Sequence, residues 1–136
     1  MATKVLDSWA LIAFFEDEPA AEAVEKLLAQ AAAEKHKLLL SVVNWGEIYY
    51  NTMREISQEA AERQARAIAT LPIDIVGVGD DLALARQAAI FKAAHKMSYA
   101  DCFAAALAKI KNAELLTGDP EFKEVEKKIK VVWLKA

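Results

Sequence analysis

Apolar residues along the chain alternate between short continuous runs and longer segments in which they recur every three or four positions. The continuous runs predict strands, because a strand that is buried on both faces is apolar throughout. They lie at residues 4–6, 37–43, 72–78, 114–117 and 130–134. The helical spacing predicts helices at residues 9–15, 19–35, 44–56, 57–71, 80–96 and 98–111, with a short helix opening at Asp119-Pro120. Strands separated by helices pair in parallel and are covered on both faces. The pattern therefore predicts an α/β fold, a three-layer α/β/α sandwich around a central, mainly parallel five-stranded sheet.

Composition narrows the classes of protein that this chain can be. Its 136 residues suit one domain spanning 1–136, and a hydrophobic content of 55% excludes a disordered tail. No apolar run approaches the ~20 residues that cross a bilayer, and the single cysteine, Cys102, excludes an internal disulfide. The apolar stretch 9–15 is bounded by acidic residues, which a signal peptide would not have. We therefore expect the protein to be located in the cytoplasm. The net charge of −3 weighs against nucleic-acid binding by bulk electrostatics.

Acidic residues stand where elements of the predicted fold begin. Asp7 ends the first strand, and Glu47 lies one turn into the helix after the second. Asp101 lies one turn into the helix that Ser98 opens, and Asp119 follows the fourth strand. Each acid has a purely structural explanation, because helix starts favour acidic and hydroxyl residues, and the spacing from 44 to 47 and from 98 to 101 is that of a capping box.

A parallel sheet would bring these acids together at one edge, and helix capping does not require such a meeting. Carboxylates held close raise one another's pKa, so crowding does not stabilise a fold. A hard divalent cation such as Mg²⁺ or Mn²⁺ relieves the repulsion and prefers oxygen ligands. Such an ion beside several carboxylates suits phosphodiester hydrolysis, because it activates water and neutralises the phosphate under attack.

The segments around these acids resemble the PIN-domain nucleases, and most closely the VapC toxins of toxin–antitoxin pairs. The resemblance covers essentially the whole chain and rests on residues 5–11, 41–47, 98–106 and 116–122 in this order. It implies a catalytic and metal site made of Asp7, Glu47, Asp101 and Asp119. It also implies supporting roles for Ser8 and Thr117, and a sheet with strand order 3-2-1-4-5. The expected activity is that of an Mg²⁺- or Mn²⁺-dependent endoribonuclease leaving a 5′-phosphate and a 3′-hydroxyl, with an antitoxin partner and a homodimeric state.

Four further residues are candidate contacts for RNA or an antitoxin. Trp9 departs from the small residue usual in the family, and its ring could stack a base if exposed, although a core tryptophan at a helix start is the favoured explanation. Trp45 and Tyr49 lie with Met53 along one helical stripe, which suits a core face or a partner groove. Arg86 is a candidate contact for the RNA backbone or part of a solvated helix face.

Both histidines, His36 and His95, are predicted at the surface near helix ends.

Other functions also fit an α/β fold with acids at strand ends. A receiver-type signalling module would need an acid at the end of the third strand, where this chain has Gly77-Val78-Gly79. A catalytically silent PIN-like binding module is a second alternative, although all four acids are present. A PIN-like nuclease that processes RNA without a cognate antitoxin is a third.

Overall fold

A five-stranded parallel sheet forms the centre of the computed structural model, which describes residues 1–135. The strands are β1 (Ala2–Leu6), β2 (His36–Ser41), β3 (Asp74–Val76), β4 (Glu114–Thr117) and β5 (Lys130–Trp133). Their order is β3-β2-β1-β4-β5, and every neighbouring pair is parallel. The chain winds outward from β1 in one direction through β2 and in the other through β4. The topological switch point, where ligands bind in open α/β sheets, therefore lies between β1 and β4.

The two faces of the sheet carry separate apolar cores, because successive side chains of a strand point to opposite faces. Val5, Leu39 and Leu115 pack with the buried face of one helical layer. Leu6 and Leu116 point the other way and pack with a second layer. The predicted three-layer α/β/α architecture is confirmed.

Six α-helices and one 3₁₀ helix cover the sheet within residues 1–135. The α-helices are α1 (Ser8–Phe15), α2 (Ala21–Ala32), α3 (Val42–Glu55), α4 (Gln58–Ala69), α5 (Ala83–Ala94) and α6 (Tyr99–Lys111), and the 3₁₀ helix is Pro120–Val125. Helices α1 to α4 supply the core that contains Leu6, whereas α5, α6 and the 3₁₀ helix supply the core that contains Val5. No helix in the described part of the chain is both long enough and apolar enough to cross a membrane.

Predicted and observed boundaries agree within a few residues, with one informative difference after β2. The strand was expected to continue to residue 43, but it ends at Ser41, whose hydroxyl accepts a hydrogen bond from the Val43 amide at 3.1 Å. Ser41 thereby caps α3, so Asn44 and Glu47 do not form the capping box that their spacing suggests. The receiver-type alternative fails on the strand order and on β3, because Asp74 begins that strand and Val76 ends it.

Candidate active site

The predicted acids meet at the carboxyl edge of the sheet, beside the switch point. Asp7 directly follows β1, and Asp119 lies two residues beyond the end of β4. Helices α3 and α6 begin at the same edge. Asp101 lies in the first turn of α6, and Glu47 lies in the second turn of α3. The edge also lies at the N-termini of α1, α3 and α6, whose free amides favour negative charge.

Asp7 is fully buried and serves as a structural anchor for this edge. One of its carboxylate oxygens accepts from the Ala10 amide at 3.0 Å and so caps α1. The other oxygen accepts from the Thr117 hydroxyl at 2.5 Å, which ties the end of β4 to the end of β1. Burial raises the pKa of Asp7 to about 7, although the hydrogen bonds from Thr117 and Ala10 oppose the rise.

The carboxylate of Asp101 is not used for capping. Ser98 caps α6 by accepting from the Asp101 amide at 3.1 Å, which is half of a capping box. The reciprocal bond, to the Ser98 amide, is made at 2.6 Å by Glu121 and not by Asp101. The Asp101 side chain receives no hydrogen bond from residues 1–135 and faces other acids. Burial, and then the charges of Asp119 and other nearby acids, raise the pKa of Asp101 to about 8.

Asp101, Asp119 and Glu121 form a group of three neighbouring carboxylates. One oxygen from each lies within 4.8 Å of the other two. Asp119 caps the 3₁₀ helix by accepting from the Glu121 amide at 2.9 Å, and this bond uses one of its two oxygens. The group offers hard oxygen donors from three side chains, the donor type that Mg²⁺ and Mn²⁺ select.

Glu47 is connected to α1 and α6 by a small polar network. The Ser8 hydroxyl donates a short hydrogen bond to the Glu47 carboxylate. The side-chain amide of Asn44, fully buried, donates to the Ser8 hydroxyl at 3.2 Å and to the Ala100 carbonyl at 3.1 Å. Asn44 therefore joins α1, α3 and α6, and the network holds Glu47 toward the cleft.

An open cleft of about 290 Å³ runs along these side chains. It is lined by three sequence-predicted acids and their neighbours: Ser8, Trp9, Ile12, Glu47, Asn51, Ser98, Asp101, Asp119 and Glu121. Asp7 and Thr117 lie behind this lining, both fully buried. Three of the four predicted acids thus face the cleft, and Asp7 supports them from the interior.

The tentative contact residues have different positions. Trp9 lines the cleft. Trp45 and Tyr49 stack on each other on α3, with ring centroids 5.5 Å apart, and the Tyr49 hydroxyl donates to Glu62 at 2.9 Å. Arg86 is exposed on α5 and does not line the cleft.

Sequence reasoning missed two residues of the site. Glu121 lies in a segment that resembles the family but is not among the predicted site residues, yet it belongs to the carboxylate group with Asp101 and Asp119. Its position two residues after Asp119 could have indicated a site role. The 3₁₀ turn that begins at Pro120 keeps the side chains of Asp119 and Glu121 near the end of β4. The spacing of Asn44 from Glu47 predicts a helix cap, and nothing in that spacing shows that the Asn44 amide reaches α1 and α6.

Comparisons with known proteins agree with this fold. The family model described as PIN domain matches residues 4–128. The VapBC2 structure of Rickettsia felis, bound to a DNA fragment from its promoter, is 14% identical with a TM-score of 0.72, covering 98% of this chain and 99% of that chain. Mycobacterium tuberculosis VapC20, a sarcin-ricin loop cleaving toxin, is 19% identical with a TM-score of 0.72 and the same coverage. VapBC-1 of nontypeable Haemophilus influenzae is 19% identical with a TM-score of 0.68, covering 96% and 97%. No curated protein matches the sequence significantly.

Proposed function

This chain belongs to the PIN-domain family, and we propose that it is a divalent-metal-dependent endoribonuclease, the toxin of a toxin–antitoxin pair, acting in the cytoplasm. The observation that carries the proposal is the free carboxylate of Asp101, which faces Asp119 and Glu121 and gains no stability from them. A purely structural acid at a helix start would cap the helix, and here Ser98 and Glu121 do so instead. Similar solved structures carry the names VapBC2, VapBC-1 and VapC20, which supports a toxin of this class.

In this proposal the metal set is Asp7, Glu47, Asp101 and Asp119, and Glu121 joins it. The donor chemistry fits the group, because Asp101 and Asp119 retain oxygens that accept no hydrogen bond from residues 1–135. Asp7 keeps a free lone pair on each oxygen after its two hydrogen bonds. Bound Mg²⁺ or Mn²⁺ would supply water of lowered pKa and neutralise charge on the phosphodiester.

The chain's own residues then have distinct tasks. Asp101, whose pKa burial and the neighbouring acids raise to about 8, would hold the cation through its deprotonated carboxylate. Glu47, held by Ser8, orients the attacking water. The N-termini of α1, α3 and α6 favour the phosphate at this edge. The expected products are a 5′-phosphate and a 3′-hydroxyl.

The test compares RNA cleavage by the wild type and by two matched Asp→Asn variants. Wild type is expected to cleave RNA with Mg²⁺ or Mn²⁺, to stop in chelator, and to recover when the metal is restored. Asp101→Asn should fold and lose at least 100-fold of the rate, since it removes a charged ligand. Asp80→Asn, on an exposed acid before α5, should match the wild type. Cleavage by Asp101→Asn at the wild-type rate would contradict the proposed site, and no cleavage of any RNA by the wild type would contradict the activity.

The toxin role and the partners need a separate experiment. Expression of the wild type without a partner is expected to arrest bacterial growth, and Asp101→Asn should not. We further propose a homodimer and an antitoxin segment docked along α3, where Tyr50 and Met53 are 44% and 45% exposed beside the stacked pair of Trp45 and Tyr49. Growth unaffected by a protein that cleaves RNA in vitro would instead favour the RNA-processing alternative.

A further inference from the structure

Part of the cleft lining is aromatic and carries no charge. Trp9, the second residue of α1, lines the cleft together with Glu47, Asp101 and Asp119. It is half-buried, and its inner part packs against the core that contains Leu6. A large ring is thus shared between the core and the acid cleft.

The Trp9 ring lies directly against the backbone at Gly118. A Cβ built on Gly118 would overlap three carbons of the indole, at 2.5 and 2.6 Å for two of them, where ordinary contact is 3.4–4 Å. Glycine is not needed there for conformation, because no glycine in residues 1–135 has a positive φ. Residue 118 must lack a side chain because the Trp9 ring occupies that space. Gly118 itself lies between Thr117, which binds Asp7, and Asp119.

We propose that Trp9 is a stacking platform for one nucleobase of the RNA beside the phosphate that is cleaved. This inference rests on the proposed function. Contact with Gly118 fixes the ring one residue from Asp119, so a base that stacks on it places its own phosphate next to the carboxylates. Stacking is independent of charge and tolerates any base, because every base has a π-face. It therefore gives the RNA an attachment point in a cleft whose acids repel phosphate.

If Trp9 had only a packing role, substitutions at residue 9 would have a different effect on RNA cleavage. Leucine also fills an apolar site against Gly118 and the core, so Trp9→Leu should keep the fold under either view. Only stacking makes the effect of residue 9 depend on a base in the substrate. The test therefore removes the base and the ring separately.

The first experiment measures kcat/KM on a short single-stranded RNA that the wild type cleaves, and on versions with one abasic nucleotide at each position in turn. For the wild type we expect one position beside the cut to lose between roughly 5- and 150-fold, the range that base–aromatic stacking spans. Trp9→Leu should show a similar loss on the intact RNA and no further loss at that abasic position. Trp9→Phe should keep part of the sensitivity. Trp133→Leu, which removes an exposed tryptophan of β5 outside the cleft lining, should keep all of it.

Gly118→Ala provides a second route in case Trp9→Leu folds poorly. It retains Trp9 but displaces the ring, so it should also abolish the sensitivity to the missing base. Adding Gly118→Ala to Trp9→Leu should then change little. An abasic profile that is the same in wild type, Trp9→Leu and Gly118→Ala would overturn the stacking platform and leave the nuclease activity standing.

Tryptophan fluorescence tests binding without cleavage. With Ca²⁺ in place of Mg²⁺, a short RNA of mixed sequence should quench the wild type and Trp133→Leu but not Trp9→Leu. Quenching that depends on Trp9, without cleavage in Mg²⁺ or Mn²⁺, would support the platform and contradict the nuclease. Neither quenching nor cleavage would overturn both.

Discussion

Replacing Asp101 by Asn is expected to stabilise the metal-free protein while it removes activity. Burial, and then the charges of Asp119, Glu121, Asp7 and Glu47, raise the pKa of Asp101 in the folded protein from 3.8 to about 8. Between these values the folded state keeps a proton that the unfolded chain has released. The free energy of unfolding therefore falls as pH rises from about 4 to about 8, and above that range the charged carboxylate imposes its full cost.

The gap between the two pKa values sets the size of this effect. Each pH unit between them is worth about 1.4 kcal/mol, so the upper limit is about 6 kcal/mol. The cleft is open to water, and neighbouring acids share the repulsion, so we expect Asp101→Asn to gain about 2–3 kcal/mol at pH 8. For a chain of this size that corresponds to a rise in Tm of roughly 10 °C.

Urea unfolding followed by circular dichroism in chelator measures the gain directly. Wild type should lose stability between pH 5 and pH 8, and Asp101→Asn should lose less. Asp80→Asn, the same change at an exposed acid, should stay within about 0.5 kcal/mol of the wild type. Adding Mg²⁺ should stabilise the wild type more than Asp101→Asn, because the cation binds the folded state.

One result would refute this reasoning. If wild type and Asp101→Asn were equally stable at pH 8 in chelator, or the variant were less stable, the charged Asp101 carboxylate, buried among other acids, would not be a cost of this fold. The case for a cation at the cluster would then lose its main physical support.

Three further predictions concern the side chains that hold the acids. Thr117→Val should cost about 1–3 kcal/mol in urea unfolding, because it deprives the buried Asp7 of its 2.5 Å hydrogen bond, whereas Thr117→Ser should recover most of that loss. Asn44→Ala should cost about 2 kcal/mol by breaking the link between α1, α3 and α6, and a change under 0.5 kcal/mol would show the link to be unimportant. Ser8→Ala should leave the Tm within a few degrees but lower kcat about tenfold, because Glu47 loses its fixed orientation; an unchanged kcat would exclude that role.

The sequence was sufficient to predict features that depend on local pattern and chain order. Apolar runs located all five strands, and alternation with helices made them parallel, so the acids had to meet at one edge. Features that depend on contacts between distant segments were not predictable. His36 was expected at the surface near a helix end, but it begins β2, is buried, and its ring nitrogen lies 3.0 Å from the Leu27 carbonyl. The Trp9–Gly118 pair joins residues more than a hundred positions apart, and neither residue alone indicates the other.

The two explanations for the acids at this edge, helix capping and a functional role, apply differently to different residues. Asp7 and Asp119 each cap a helix with one oxygen, so for them capping and a functional role are compatible. Asp101 is different, because Glu121 performs the capping that its position would serve and its own carboxylate is left facing like charges.

The same repulsion explains how a protein of net charge −3 could act on RNA. Without a cation the cleft repels phosphate, so bulk charge contributes nothing to binding there. Two divalent ions would bring the net charge to about +1 and would reverse the field where the phosphate enters. In the proposed site, the Asp101 carboxylate is therefore expected both to destabilise the metal-free fold and to contribute to cation binding. Asp101→Asn should therefore gain stability without metal and lose metal affinity, and with it the capacity to hold a phosphodiester at the carboxylates.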